Sequence, residues 1–202
     1  MIRAAILILT LTLIGGCAAG AGDSYLDNVE EVNASTVIDA PRTVPGRYAP
    51  ANRGQVERGE YLVELLGCGA CHTDGALIGE PDAQRLLAGS TTGIAFTSPL
   101  HEDNPGVVYP PNITPDSETG IGDWSDMQIA DAIRSGVGRH MIRRITTMPW
   151  PGYSRISDDD IAAIVSYLRS IEPVSHRVPE RVAPGQQAEN LFVYFGVYRS
   201  KR

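Results

Sequence analysis

Five consecutive residues, Cys68-Gly69-Ala70-Cys71-His72, constrain this chain more than any other stretch. C-x-x-C-H is the attachment signature of c-type haem. Its two thiols are spaced to form thioethers with the two vinyl groups of one porphyrin, and the adjoining histidine is then held under the iron. Cys68 and Cys71 are therefore the candidate thioether residues, and His72 the candidate proximal ligand, of one covalently bound haem c. Haem gives a small domain redox chemistry that side chains alone do not supply. Two other readings of a C-x-x-C pair fare worse. A redox dithiol wants a βαβ pattern around it, and none is evident. A structural zinc site wants a second Cys or His pair; the chain has three cysteines, and His101, His140 and His176 are scattered without ligand spacing.

The third cysteine belongs to a different signal. Arg3 is followed by an apolar run from Ala4 to Ile14, too short for a stable membrane span and laid out like the apolar part of a secretory leader. It closes on Ile14-Gly15-Gly16-Cys17. A small-residue pair before a cysteine resembles a bacterial lipobox, in which residues 1–16 are removed and Cys17 is lipidated. The alternative is an ordinary signal peptide cut nearby, with Cys17 as a chance thiol. Export agrees with the haem motif, because thioether attachment takes place outside the cytoplasm. The expectation is a chain anchored through Cys17 to a bilayer and facing the periplasm or the cell exterior. Later segments are not apolar enough to add a span.

The formal net charge of −7 becomes one unit more negative with the loss of Arg3, and haem propionates would add to it. An acidic surface argues against a nucleic-acid partner and favours a partner with a basic patch.

Residues 17–53 are small, polar and proline-punctuated, without a sustained period, and read as a flexible tether. A flexible chain of about 37 residues reaches roughly 35 Å on average. A folded domain is expected over residues 54–174. Gln55 to Leu66 reads as a helix, with Val56, Tyr61, Leu62, Leu65 and Leu66 on or near one stripe. Gly59 inside it costs about 1 kcal/mol relative to alanine, which suggests close packing against another helix. Residues 73–123 read as loop wrapping the haem. Ser125 with Gln128 predicts a capping box for a second helix to Ser135, stopped by Gly136; Ile129 and Ile133 face inward and Met127 is read as core. Ser157 caps a third helix in which Ile161, Ile164, Val165, Leu168 and Ile171 form the inner stripe and Pro173 ends the run. That order describes a small all-α haem domain.

His72 leaves one axial position. Met148, in the loop before the last helix and stiffened by Pro149 and Trp150, is the assigned distal ligand. Met141, His140 or an open site are the alternatives, and a buried core methionine is the competing reading of Met148. A His/Met pair raises the reduction potential. It also leaves no position for a small-molecule substrate.

Three strings carry a resemblance: "RGEYLVELLGCGACHT", "PPNITPDSETGIGDWSD" and "MPWPGYSRISDDDIAAIVSYLRSIEPV". Gly54 to Val174 resembles the class I cytochrome c domains in the cytochrome subunits of membrane-bound bacterial alcohol, aldehyde and gluconate dehydrogenases. The resemblance implies a class I cytochrome c fold: three or more helices around one covalent haem, the first and last crossing beside it, here with extended N- and C-terminal segments. It implies Cys68 and Cys71 as thioether residues, His72 as proximal ligand and Met148 as distal ligand. Those subunits usually carry three such domains; this chain has one C-x-x-C-H motif.

The expected function is electron transfer by a membrane-anchored monohaem cytochrome, between a respiratory or dehydrogenase complex and a downstream acceptor. The chain is then a carrier and not itself an enzyme. A haem enzyme, either a peroxidase or a sulfur-compound oxidoreductase, and a haem sensor are the alternatives. The string from Asn112 to Glu118 offers oxygens to a calcium ion, but Asx-type turns and Pro115 explain it more simply. Trp124 and Arg139 are candidate partners of haem propionates. In residues 175–202, Leu191 to Tyr198 has strand-like composition. It is expected to pack back on the haem domain, with docking on a partner, or contact of its basic end with lipid, as alternatives.

Overall fold

The computed structural model describes residues 41–47, 52–138 and 147–196. Its helices in chain order are α1 (Arg53–Leu65), α2 (Cys68–His72), α3 (Asp126–Ser135), α4 (Trp150–Tyr153) and α5 (Asp158–Ser170), with a 3-10 turn at Ala76–Ile78. Strands β1 (Gly93–Ala95), β2 (Val107–Val108) and β3 (Phe192–Tyr194) form one small sheet with β1 in the middle.

The principal packing is α1 against α5. Gly59 makes it possible: a Cβ built there would lie 2.0 Å from the Ala163 carbonyl oxygen and 2.7 Å from the Tyr167 Cβ. The glycine that weakens α1 as an isolated helix thus lets the two backbones touch. This contact also chooses the buried face of α1, through Val56, Gly59, Leu62 and Val63. Tyr61 and Leu65, expected on the apolar stripe, are instead 53% and 64% exposed. They lie four residues apart on the opposite side, and the Arg58 guanidinium sits over the Tyr61 ring at 5.4 Å.

Helix α5 starts where expected. The Ser157 hydroxyl accepts from the Asp160 N–H at 3.2 Å, and Asp158, Asp159 and Asp160 occupy the first turn, where the helix dipole favours negative charge. Ile161, Ile164, Val165, Leu168 and Ile171 are all buried. In α3 the capping box closes both ways: the Ser125 hydroxyl accepts from Gln128 N–H, and the Gln128 side chain accepts from Ser125 N–H. Gly136 ends that helix at φ 67°. Ile129 is buried and Ile133 half-buried against the core. Met127, read as core, is 72% exposed. It stands two residues before Ile129, and residues two apart on a helix do not share a face.

Both segments outside residues 54–174 contribute to the same body. Within the expected tether, Val44 accepts at its carbonyl from the Tyr167 hydroxyl at 2.8 Å, and Arg47 N–H donates to the Ser170 carbonyl at 3.0 Å. Residues 1–40, with the expected leader and Cys17, lie outside the described residues. Within the expected C-terminal extension, β3 pairs parallel to β1, with Ile94 opposite Val193, while β2 pairs antiparallel, with Ile94 opposite Val108. Val178, Val182, Ala188, Phe192 and Tyr194 pack on Ala95, Val107 and Tyr109 as a second, smaller core. The helical class holds, and a sheet is added to it, with β1 and β2 inside the region read as loop and β3 in the extension. Residues 197–202 lie outside the described residues, as do Arg139, His140 and Met141. Among the described residues no helix is long and apolar enough to cross a membrane.

Gly59→Ala should cost about 2 kcal/mol or more in denaturant unfolding, because its methyl meets backbone that cannot step aside. Gly54→Ala, with nothing within 4 Å of the added Cβ, should be neutral or stabilising by up to about 1 kcal/mol.

Candidate haem site

The attachment motif is helical, and this determines where its side chains go. Leu66 N–H donates to the Leu62 carbonyl and Gly67 N–H to Glu64, both at 2.9 Å, closing α1. Gly67 then takes the left-handed conformation, φ 67°, which turns the chain into α2. Cys68 stands three residues from Cys71 and four from His72, so the three side chains fall on one side of a short helix. Buried Gly69 turns away from them towards Pro41, whose carbonyl oxygen would lie 3.2 Å from an added Cβ.

His72 is oriented by a bond to the loop that follows. Its Nδ1 lies 2.7 Å from the Pro111 carbonyl oxygen. A carbonyl can only accept, so Nδ1 carries the proton and Nε2 the lone pair that a metal would take.

His72 faces a cleft of about 850 Å³, open mouth included, walled by Ile129 and Ile133 of α3, Ile164 and Leu168 of α5, and Ile113 and Ile121 of the intervening loop. A second cleft of about 640 Å³ adjoins it, walled by Cys71, Ile94, Val108 and Tyr109. Cys68, His72, Pro111, Met148 and Tyr153 line both. The structure therefore brings all four described candidate residues, Cys68, Cys71, His72 and Met148, to one apolar slot. Among the described histidines only His72 lines it, and among the described methionines only Met148 does. Trp124 also lines it.

This donor set fits haem c. The slot is apolar and roomy, as cofactor pockets are. Two thiols stand at one side, an imidazole with its outer nitrogen fixed lines it, and a thioether reaches it from a distant segment. Cys68 and Cys71 would hold the porphyrin, His72 and Met148 would take the metal, and the bound group would supply a centre that gains or loses one electron. The thiols suit attachment better than dithiol chemistry: burial pushes Cys68 up to about 12 and raises Cys71 as well. Reactive dithiols need the opposite shift. Among the described residues no group of three or more His, Cys, Asp or Glu is placed to hold a metal between them.

Pro111 is held by a loop that satisfies its own polar groups. Buried Asn112 donates to the Val174 carbonyl at 2.7 Å and the Thr119 hydroxyl at 2.9 Å, and accepts from Thr114 N–H and hydroxyl at 2.9 and 2.7 Å. Asp116 accepts from Thr119 N–H and hydroxyl, each at 2.7 Å. These bonds hold its carboxylate below the usual range. The side-chain oxygens of Asn112, Thr114 and Asp116 considered for calcium are thus engaged within the loop, and Glu118 pairs with Arg177. Arg169, from the last turn of α5, closes the far end: it donates to the Ile121 and Gly122 carbonyls at 3.0 Å, to the Trp124 carbonyl, and to Asp126. Sequence reasoning did not single out Pro111, Arg169 or Tyr153, and it named Asn112 only for its oxygen in the calcium reading. The Pro110-Pro111-Asn112 run was the available signal for Pro111 and Asn112.

The cytochrome c family model matches residues 56–172, and the chain belongs to this family. It is 36% identical over 126 residues to the cytochrome c subunit of a quinone-dependent alcohol dehydrogenase of Gluconobacter oxydans, covering 62% of this chain and 23% of that one. It is 34% identical over 152 residues to a fructose dehydrogenase cytochrome subunit of Gluconobacter japonicus, covering 75% and 28%. To a gluconate 2-dehydrogenase cytochrome c subunit of Pantoea cypripedii it is 36% identical over 126 residues, covering 62% and 25%. The chain matches about a quarter of the length of these relatives. Membership of the family implies covalent haem c.

Asn112→Ala would take the acceptor from the buried Thr114 N–H and a donor from the Val174 carbonyl, at a cost of about 2 kcal/mol or more. The loss should appear in denaturant unfolding of the haem-loaded protein.

Proposed function

We propose that this chain is a one-electron carrier, a monohaem c-type cytochrome with Cys68 and Cys71 as thioether residues, His72 as proximal ligand and Met148 as distal ligand. One observation carries the reading: His72 and Met148, far apart in sequence, line one apolar slot together with both thiols. Nitrogen and sulfur ligation raises a haem potential and fills both axial positions. The site is thereby left to electron relay, with no place for a small-molecule substrate, and the chain is not itself an enzyme. A single C-x-x-C-H motif supports a single haem.

The relatives' names support a partner class. Each is the cytochrome subunit of a sugar, sugar-acid or alcohol dehydrogenase, so the chain is read as working beside a membrane-bound redox complex, as a subunit passing electrons to a downstream acceptor. Its net charge of −7 favours a basic docking face on that partner and argues against nucleic acid. The residues 4–17 pattern supports export and anchoring through a lipidated Cys17, facing the periplasm or the cell exterior.

The haem-loaded protein should give a low-spin spectrum with a methionine–iron band near the red edge of the visible range, and its reduced form should not take up carbon monoxide on mixing. Met148→Ala should abolish the band and bind carbon monoxide. Acidified acetone should leave the pigment on the wild-type chain and extract it from a variant carrying both Cys68→Ser and Cys71→Ser. A high-spin ferric spectrum with peroxide turnover in the wild type would sink the carrier reading.

Cys17→Ser should shift the protein from the membrane fraction to the soluble extracytoplasmic fraction with its spectrum unchanged. Equal membrane retention of the variant would refute the lipid anchor alone.

A further inference from the structure

Tyr153 lines both parts of the slot, yet no ligand role falls to it. Its hydroxyl donates to the Leu66 carbonyl at 3.1 Å. That carbonyl belongs to the C-cap of α1, one of the orphan acceptors at a helix end. Gly67 and Cys68 follow it directly, so the acceptor is fixed to the segment that delivers the attachment helix.

On the donor side, Tyr153 ends a compact turn that begins at Met148. Pro149 and Pro151 fix two backbone dihedrals in it, and Gly152 N–H closes on the Pro149 carbonyl at 2.9 Å. Ile156 N–H then donates to the Tyr153 carbonyl at 3.0 Å, and the Ile156 carbonyl accepts from the Arg134 guanidinium at 2.6 Å. The far end of the segment is thus tied to α3. The Tyr153 hydroxyl ties its middle to the end of α1. With the turn stiff between residues 148 and 153, placing the phenol places the Met148 backbone.

We propose that Tyr153 is a positioning residue for the distal ligand, its hydroxyl holding the Met148 segment in register with the helix that carries Cys68, Cys71 and His72. This rests on the reading of Met148 as distal ligand. The aromatic ring fills space, which phenylalanine would do equally; the hydroxyl adds a hydrogen bond between the two sides. Coupling is reciprocal, so methionine ligation in turn protects the phenol bond.

The test compares the full-length haem-loaded wild type, Tyr153→Phe and Met148→Ala. Tyr153→Phe should keep its haem through acidified acetone extraction and stay low-spin at neutral pH. The pH at which its methionine–iron band is lost should fall by about half to one unit, the worth of one such hydrogen bond. Carbon monoxide uptake by its reduced form should rise about three- to tenfold. A band midpoint and carbon monoxide uptake equal to wild type, even with a lower melting temperature, would show a merely structural bond and overturn the proposal.

Proton exchange of the Tyr153 hydroxyl, followed by NMR in the reduced proteins, decides the matter if Tyr153→Phe does not accumulate. It should be slow in the wild type and faster in Met148→Ala; an equal rate overturns the proposal. A wild type without the methionine band ends the Met148 reading itself. A wild-type band as robust in Tyr153→Phe ends only the role given to Tyr153.

Discussion

The backbone contact between Gly59 of α1 and Ala163 of α5 sets the position of everything around the haem slot. Helix α5 is shared between two neighbours. Ala163 and Tyr167, four apart, lie against Gly59 of α1, while Ile164 and Leu168, also four apart and one step round the helix, wall the slot. Helix α1 is the rod whose end delivers Gly67 and then the attachment helix. Its distance from α5 therefore fixes how far Cys68 and His72 stand from the wall opposite. A side chain at residue 59 would widen that distance at the crossing and carry the motif outward with it.

The loop between the strands and α3 solves a different problem. It must present one carbonyl, that of Pro111, and a set of apolar side chains to the slot without regular structure to absorb its own polar groups. Buried backbone and side-chain groups need partners, and Asn112, Thr114 and Thr119 supply them from within the loop and from residues 174–176. Arg169 does the same for three carbonyls at once from a half-buried position, with Asp126 opposite its charge. The loop is thus held by the strand of chain leaving α5 as well as by α5 itself. The residues that shape the His72 side of the slot depend on the same helix that walls the other side.

Local signals were legible in the sequence where one short stretch determines the outcome. Both serine caps, the glycine stop at Gly136, the inner stripe of α5 and the attachment pentapeptide depend on residues a few positions apart. The choice of a helix face by a distant partner was less legible. Apolar content alone placed Tyr61, Leu65 and Met127 inward; the structure turns them out because Gly59 and Ile129 select the packed faces. Hydrogen bonds across long separations left no periodic mark. Pro111 to His72, Tyr153 to Leu66 and Arg169 to the loop carbonyls each join a side chain to a backbone oxygen, and a carbonyl has no sequence identity to read. The strands were hidden for a related reason: β1 and β2 are three and two residues long, and their partner β3 lies close to the other end of the described chain.

That sheet bears on the haem slot as well as on the fold. Ile94 and Val108, paired across β1 and β2, wall the second cleft, and Ile94 is opposite Val193 of β3. The extension therefore braces a wall of the site from behind, with Val182 bridging Val107 in the same layer. A haem's potential depends on how far its surroundings exclude water and on the groups bonded to its ligands. With His72 as the proposed ligand, the hydrogen bond to its outer nitrogen comes from the Pro111 loop, and part of the exclusion would come from residues beyond the last helix. The terminal segment thus bears on the proposed site through packing on β1, with no residue of β3 lining the slot.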